Sequence, residues 1–158
     1  MEKEFRVSAG AIVIHEGKVL LVRYMDSLGK SYLVGPGGGV FINESTNQAA
    51  IREVKEETNL DVSVGKVIFI EDLLSKQHQI TKIWFLCNLK GGQLIKTQNA
   101  IEEGIIEVGW YRREQLNNEI VYPTVLMSHN WDDFYRDNWQ TIYHELQEVD
   151  FDLPRREK

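Results

Sequence analysis

Short apolar runs, broken by glycine and polar residues, predict a chain built largely of β-strands. The first two runs, 5–14 and 19–22, are joined by His15-Glu16-Gly17-Lys18, whose polar residues and glycine predict a hairpin turn. A later run at 80–89 is apolar on both alternating sets, which predicts a strand covered on both faces. The other predicted strands are 32–34, 62–70 and 105–111.

Helical signals lie in the middle and towards the end of the chain. Ser45 and Gln48 have the spacing of a capping box, which predicts a helix continuing to Thr58. The run 35–39, Gly-Pro-Gly-Gly-Gly, is predicted to be a loop, because proline lacks an N–H donor and consecutive glycines disfavour regular structure. Further helices are predicted at 113–116 and 131–146. Together these elements predict an α/β (α+β) fold, a sandwich with a mixed β-sheet between helices.

Composition predicts one globular domain over residues 1–158, since 42% hydrophobic and 27% charged residues are typical of a chain that buries a core. The N-terminal residues lack a signal-peptide pattern and no apolar run could span a bilayer, so we expect a cytoplasmic protein with no membrane partner. Cys87, the single cysteine, is interpreted as a buried hydrophobic residue. The net charge of −6 disfavours long nucleic acid as a partner, although carboxylates that recruit metal ions still permit small phosphate compounds.

Three carboxylates share one side of the predicted helix. At roughly 100° per residue, Glu53, Glu56 and Glu57 fall within an arc of about 100°. An apolar face adjoins them, made of Ala50, Ile51, Val54 and Thr58. Like charges at these spacings repel, and either Arg52 or a divalent cation with oxygen ligands would offset the repulsion. A solvated acidic helix face is the plain alternative, but the glycine run before the helix favours a metal or phosphate site.

The segment 38–60 resembles the Nudix box: a glycine, five residues, Glu, seven residues, then Arg-Glu-aliphatic-x-Glu-Glu-x-Gly-aliphatic. Every specified position matches except the second glycine, where Asn59 stands. Asparagine often replaces glycine in left-handed backbone at a helix end, so we expect a modest stability cost and intact chemistry. The resemblance covers about residues 5–116 and implies a Nudix-like α/β/α sandwich, with 117–158 predicted as a helical C-terminal extension.

The resemblance also implies a reaction, the hydrolysis of a diphosphate bond with Mg²⁺, for which Mn²⁺ could substitute. The metal ligands it implies are Gly38 through its carbonyl, Glu53, Glu56 and Glu57. Glu53 or Glu56 would receive the proton of the attacking water. Arg52 would orient Glu53, and Glu44 would support the helix start.

Further candidate residues lie outside the box. Many family members use one more carboxylate, for which Glu102, Glu103 and Glu107 are candidates. Glu103 is favoured because it is nearer the expected loop, whereas Glu107 belongs to a Glu-x-x-Trp pattern that is often structural. The candidate substrate-binding residues are Arg23, Tyr24, Tyr32 and His78. Trp84 and Trp110 are interpreted as core residues.

The expected substrate is a nucleoside diphosphate linked to another group, such as a nucleoside triphosphate or an ADP-ribose-like compound. Neither proline nor tyrosine occurs between Asp61 and Lys90, so the downstream proline associated with ADP-ribose enzymes of the family and the tyrosine associated with its dinucleoside-polyphosphate enzymes are both missing. A homodimer is common in the family.

Three competing functions are weighed against the hydrolase. A non-catalytic nucleotide sensor of the same fold would be expected to lose box carboxylates or Arg52, and all of these are present. An acidic structural domain would have no use for the glycine run before the helix. An enzyme acting on RNA 5′ ends would be favoured by a basic aromatic groove, which is not apparent in the sequence.

Overall fold

The computed structural model describes residues 2–150, and strands dominate them as the hydrophobic pattern predicts. The strands are β1 (Glu4–His15), β2 (Lys18–Met25), β3 (Ser31–Val34), β4 (Gly37–Gly39), β5 (Leu60–Leu74), β6 (His78–Gly92), β7 (Ile105–Tyr111), β8 (Val121–Tyr122) and β9 (Ile142–Glu148). The helices are α1 (Thr46–Thr58), α2 (Gln98–Glu102) and α3 (Val125–Ser128), with 3-10 turns at Arg113–Leu116 and Trp131–Tyr135. None of the helices within 2–150 has the length and apolar character needed to cross a bilayer.

Strand β1 connects the two halves of a mixed sheet. It runs parallel to β6, from Glu4 opposite His78 to Val13 opposite Cys87, and antiparallel to the short strand β4. At its end the chain turns through Glu16 and Gly17, both with positive φ, into β2, which confirms the predicted hairpin. The strand order is β8-β3-β2-β1-β6-β5-β9, with β4 paired to β1 and β7 paired to β2.

The sheet carries a hydrophobic cluster on each face, which confirms the sandwich. On one face, Ala50 and Val54 of α1 pack on strand residues that include Ala9 and Phe85. On the other face, α3 and the 3-10 turn at Trp131–Tyr135 cover a second cluster. This cluster contains Ile12, Trp84, Leu86, Leu126 and Phe134. Residues 84–87 of β6 are all buried, as predicted for a strand covered on both sides.

Helix α1 begins and ends as its sequence predicts. The backbone N–H of Gln48 donates to Ser45 Oγ at 3.1 Å, and the Gln48 side chain accepts from the Ser45 N–H at 2.9 Å. The helix ends at Asn59, whose φ of 65° is left-handed. One prediction about its faces is wrong: Ile51 is 40% exposed, and Ala49 is buried instead, because the helix docks through the side on which Ala49, Ala50 and Val54 lie.

The glycine run is predicted to be a loop, but its last three residues form strand β4. Gly37, Gly38 and Gly39 pair with Gly10, Ala9 and Ser8 of β1. A Cβ on Gly37 would lie 2.6 Å from the Ala9 carbonyl oxygen, so only a residue without a side chain can approach β1 this closely. The prediction failed because tertiary pairing outweighs the low strand propensity of glycine.

The C-terminal extension is not helical as predicted over 131–146. A single 3-10 turn at Trp131–Tyr135 is followed by strand β9, which runs parallel to β5 with Ile142 opposite Phe69. Strand β9 pairs with backbone groups along the edge of β5, which a helix with internal hydrogen bonds would leave without these partners, and Trp139 Nε1 also donates to the Ile68 carbonyl at 3.2 Å. The part of the predicted extension at 151–158 lies outside the described residues.

Candidate functional site

Three carboxylates meet where α1 lies over the sheet. Glu53 and Glu57 are one helical turn apart, on the side of α1 that faces the protein interior, and both side chains are fully buried. Glu103, which follows α2, completes the group, and one oxygen from each of the three lies within 4.8 Å of the others. A set of convergent hard oxygen atoms at this spacing can bind a divalent cation such as Mg²⁺ or Mn²⁺.

Glu103 reaches this position because the chain after β6 runs back along the end of α1. The Ile95 N–H donates to the Thr58 carbonyl at 3.0 Å. Thr97 donates its hydroxyl hydrogen to the Glu56 carbonyl and accepts from the Ala100 N–H at 3.0 Å, so it joins α1 and caps α2. These bonds place Glu103, at the end of α2, beside the box carboxylates.

Glu107 takes a different place. Its carboxylate lies 3.6 Å from Arg23 Nε and accepts a hydrogen bond from the Tyr111 hydroxyl. The structure therefore brings Glu103, and not Glu107, to the group formed by Glu53 and Glu57, as the sequence argument favours.

Arg52 connects the helix, the glycine strand and the loop between them. It donates from Nη1 to Glu53 Oε1 at 2.9 Å, and from Nε and Nη2 to the two oxygens of Glu44 at 2.6 and 2.8 Å. Nη2 also donates to the Gly39 carbonyl at 3.0 Å, and the guanidinium lies 3.8 Å from the centre of the Phe41 ring. Burial lowers the pKa of Arg52, but the bond to Glu44 and the charge of Glu53 raise it above its ordinary value, so the group stays charged.

Glu56 is the box carboxylate that stands apart. It accepts a hydrogen bond from Arg52 Nη1 at 3.2 Å, and its side chain is 28% exposed. It is not one of the three residues whose oxygens converge within 4.8 Å.

Gly38 brings bare backbone against the carboxylates. A Cβ at this position would lie 2.7 Å from Glu53 Oε1, so any side chain would displace the Glu53 carboxylate. The strand β4 that contains Gly38 therefore forms one wall of the site without occupying it.

A cavity opens beside this wall. Tyr24 and Tyr32, two of the predicted substrate-binding residues, line it together with Tyr122 and Glu103. The Tyr24 and Tyr32 rings stack with centroids 5.4 Å apart, and Tyr122 meets Tyr32 edge-on at 5.9 Å. Burial raises the pKa of Tyr24 well above its ordinary value, so its hydroxyl remains protonated and able to donate.

The structure does not bring the other two predicted substrate-binding residues, Arg23 and His78, to this cavity. Arg23 forms a two-point ion pair with Glu119, at 3.0 and 2.9 Å, and it also donates to Ser31 Oγ at 3.0 Å. The hydrogen bond to Glu119 raises the pKa of Arg23. His78 is 2% exposed at the start of β6, with Nε2 lying 3.6 Å from a carboxylate oxygen of Glu4.

The floor of the cavity contains polar residues that the sequence argument did not identify. Ser8, Lys82 and Glu71 lie side by side on β1, β6 and β5, because Lys82 pairs with Ser8 on one side and with Glu71 on the other. Trp84 Nε1 donates to Glu71 Oε2 at 2.9 Å, and Lys82 Nζ lies 4.3 Å from the centre of a Trp84 ring. Trp84 is thus buried as predicted, yet it also lines the cavity.

Burial governs the protonation of both charged floor residues. Burial lowers the pKa of Lys82, and the charges of Glu71, Glu57 and Glu53 oppose that shift. Burial raises the pKa of Glu71, opposed by Lys82 and by the bond from Trp84. The signal that could have identified this floor is Lys82 near the start of the apolar run 80–89, since lysine is almost never fully buried unless it is paired.

Comparison with known proteins agrees with this geometry. A family model described as NUDIX domain matches residues 4–127. The ADP-ribose pyrophosphatase of Methanocaldococcus jannaschii is 30% identical over 99 residues, which are 61% of this chain and 58% of that relative. The match therefore spans little more than half the length of that protein.

Two crystal structures share the fold. An ADP-ribose pyrophosphatase from Streptococcus suis 89-1591 has a TM-score of 0.63 and 21% identity, over 90% of this chain and 98% of that one. A NUDIX hydrolase from Nitrosomonas europaea has a TM-score of 0.68 and 22% identity, over 94% and 82% of the two chains. At these identities the likeness shows the fold.

Proposed function

This chain belongs to the NUDIX domain family, and on that basis we propose that it is a Mg²⁺-dependent pyrophosphohydrolase. Its substrate would be a nucleoside diphosphate linked to another group. The observation that carries the proposal is the convergence of Glu53, Glu57 and Glu103 within 4.8 Å, beside the side-chain-free strand β4. That convergence would hold a metal ion beside a cavity that could receive a diphosphate.

The residues present fit a hard divalent cation. Glu53, Glu57 and Glu103 would hold the ion. The resemblance adds the Gly38 carbonyl and Glu56 as further ligands, although the Glu56 carboxylate stands apart and is bonded to Arg52. Carboxylate and carbonyl oxygens are the donors that Mg²⁺ and Mn²⁺ prefer. When bound, Mg²⁺ supplies activation of water and offsets charge on the phosphate oxygens. Buried like charges also make the cation stabilising for the fold itself.

The chain's own residues would orient the reactants and move the proton. Arg52 holds Glu53 through a bond of 2.9 Å, which fixes the direction of that carboxylate. Glu53 or Glu56 would accept the proton of the attacking water. Glu44 keeps Arg52 in place from the opposite side, at 2.6 and 2.8 Å.

An ADP-ribose-like compound is our leading candidate substrate. Two proteins similar to this chain bear the name ADP-ribose pyrophosphatase. The cavity next to the carboxylates is lined by Tyr24, Tyr32 and Tyr122, aromatic groups suited to a base or ribose. The cytoplasmic setting and the homodimer stay predictions from the sequence.

The alternative is a module that binds a nucleotide without cutting it. Such a module has no need for the full set of box carboxylates or for Arg52, and this chain has all of them. The hydrolase is therefore the function that these residues support best.

The test is a cleavage assay with Mg²⁺ on ADP-ribose, NADH, normal and oxidised nucleoside triphosphates and dinucleoside polyphosphates, with products identified by mass. Glu57→Gln is the inactive variant, and Glu114→Gln, at an exposed position, is its matched control. We expect metal-dependent cleavage that Glu57→Gln loses and Glu114→Gln retains. Tight nucleotide binding without any cleavage would instead support the sensing module.

A further inference from the structure

Two hydrogen-bond donors on the cavity floor have no acceptor among residues 2–150. Ser8 is 1% exposed, and its Oγ has no hydrogen-bond partner there. Lys82 is 6% exposed, and its Nζ contacts the face of Trp84 at 4.3 Å, while the nearby Glu71 carboxylate takes its hydrogen bond from Trp84 instead. Buried donors are normally satisfied, so both side chains point to an acceptor that comes from outside the protein.

The two donors lie next to each other and close to the proposed reaction centre. Ser8 pairs with Lys82 across β1 and β6, and with Gly39 across β1 and β4. Gly38, the neighbour of Gly39, is in contact range of the Glu53 carboxylate. The donors therefore occupy the floor on the side of the glycine strand that faces the cavity, and Arg6, which also lines the cavity, adds a cation at its rim.

We propose that Ser8 and Lys82 form a phosphate-binding subsite, which holds phosphate oxygens of the substrate that the carboxylate-bound metal does not reach. The proposal rests on the proposed function, because it assigns a place to part of the same diphosphate. A desolvated ammonium group gains most from a full negative charge, and a hydroxyl beside it adds a second donor to the same oxygens. A diphosphate has several non-bridging oxygens, and a single metal ion does not contact all of them.

A neutral nucleobase or sugar group fits this pair less well. Such a ligand presents donors as well as acceptors, and it would need a free carboxylate beside the ammonium. Glu71 is the carboxylate in the row, and Trp84 Nε1 donates to its Oε2 at 2.9 Å, which leaves one of its two oxygens for such a ligand. Ser8 and Lys82 alone match an acceptor-rich anion.

The experiment measures binding of inorganic pyrophosphate by calorimetry, once with Mg²⁺ and once with a chelator, so that the metal and protein contributions separate. The variants are Ser8→Ala and Lys82→Met, with Lys90→Met as the control at an exposed position of the same strand β6. Loss of a charge-assisted hydrogen bond predicts about tenfold weaker binding in each subsite variant and no change in Lys90→Met.

The melting temperature distinguishes a binding role of Ser8 from a purely structural one. Because the Ser8 hydroxyl has no partner in the described structure, Ser8→Ala should keep or raise the melting temperature while it weakens binding. A packing or folding role would lower both together. Ser8→Ala therefore tests the proposal even if Lys82→Met folds poorly.

The outcomes of the two proposals are distinct. Pyrophosphate affinity that is unchanged in Ser8→Ala and folded Lys82→Met, or absent in the parent protein, overturns the subsite. Cleavage of a nucleotide with kcat and KM unaltered by both substitutions overturns it too and leaves the hydrolase standing. Binding of pyrophosphate that depends on Ser8 and Lys82, without cleavage of any nucleotide, supports the subsite and overturns the hydrolase.

Discussion

The side-chain amide of Asn59 donates to the backbone carbonyl of Gln93 at 2.9 Å, joining the end of α1 to the segment that follows β6. A glycine at this position could adopt the same left-handed backbone but could not form that bond. The segment that Asn59 holds continues to Thr97 and to Glu103. The one departure from the Nudix box pattern is therefore compensated by a contact that helps to position the third carboxylate.

Asn59→Ala should lose both the bond and a residue tolerant of positive φ. We expect a loss of about 2–3 kcal/mol in the free energy of unfolding, measured with urea. Asn59→Gly loses only the bond and relieves the backbone, so it should stay within about 1 kcal/mol of the parent with its turnover intact.

Asn43 supplies the control for Asn59, because its φ of 67° is also left-handed and it is exposed in the loop before α1. Asn43→Ala should lower the free energy of unfolding by about 1–2 kcal/mol, because it has only the cost of alanine in left-handed backbone and no lost bond to Gln93. Equal losses in Asn43→Ala and Asn59→Ala would show that the bond to Gln93 contributes nothing.

Gly38→Ala should disable the proposed metal site while leaving the fold largely intact. Its Cβ would lie 2.7 Å from Glu53 Oε1, so the carboxylate must move away from Glu57 and Glu103. We expect metal-induced stabilisation and cleavage to fall together, measured by thermal unfolding and product formation. Gly39→Ala is the matched control, since the atoms nearest to its Cβ would belong to the flexible Arg6 side chain, the first of them at 3.4 Å. Equal damage from both substitutions would contradict the account.

Metal ions should stabilise the protein through the three converging carboxylates. At 100 times its Kd, Mg²⁺ or Mn²⁺ is expected to add about 2.7 kcal/mol to the free energy of unfolding. Glu57→Gln removes a buried charge, so without metal it should be at least as stable as the parent, and with metal it should gain little. Exposed Glu114 again provides the control, and a full metal response in Glu57→Gln would place the ion elsewhere.

Cys87 should be inert towards thiol reagents until the protein unfolds, because burial raises the pKa of its thiol to about 12 from an ordinary 9.0. Between about pH 9 and pH 12, the Cys87 thiol is therefore deprotonated in the unfolded chain and protonated in the folded one. The folded state then binds more protons, so stability falls as pH rises, by about 1.4 kcal/mol per pH unit.

The measurement for Cys87 is the difference in alkaline stability between the parent and Cys87→Ala, which removes the thiol and leaves the remaining titrations in place. The parent should lose stability faster above about pH 9. Parallel pH profiles, or rapid labelling of the folded parent at pH 8, would contradict the prediction.

Local signals in the sequence were sufficient for the helix that carries the box. The Ser45–Gln48 capping box and the left-handed Asn59 depend on residues a few positions apart, so they could be predicted without knowledge of the rest of the fold. The convergence of Glu103 with the box also follows the prediction, but only the resemblance suggested it, since no local rule brings a residue beyond β6 to α1.

Long-range pairing explains what the sequence could not predict. Strand β4 forms because its three glycines can pair closely with β1. Strand β9 forms in place of the predicted helix because it pairs with the edge of β5. The cavity floor was missed for the same reason: Ser8, Lys82 and Glu71 become neighbours only through the register of three strands. Their sequence positions are too far apart for periodicity to link them.

The parallel pairing of β1 with β6 has a consequence for the order of folding. Glu4 lies opposite His78 and Val13 lies opposite Cys87, so the edge of β1 that faces β6 cannot be paired until residues 78–87 have been made, whereas its pairs with β2 and β4 use residues closer in sequence. Closing so long a loop carries an entropic cost that later contacts must recover, and it slows folding. During synthesis, that edge of β1 therefore stays unpaired until β6 has emerged, and the proposed reaction centre assembles only after Glu103 has emerged.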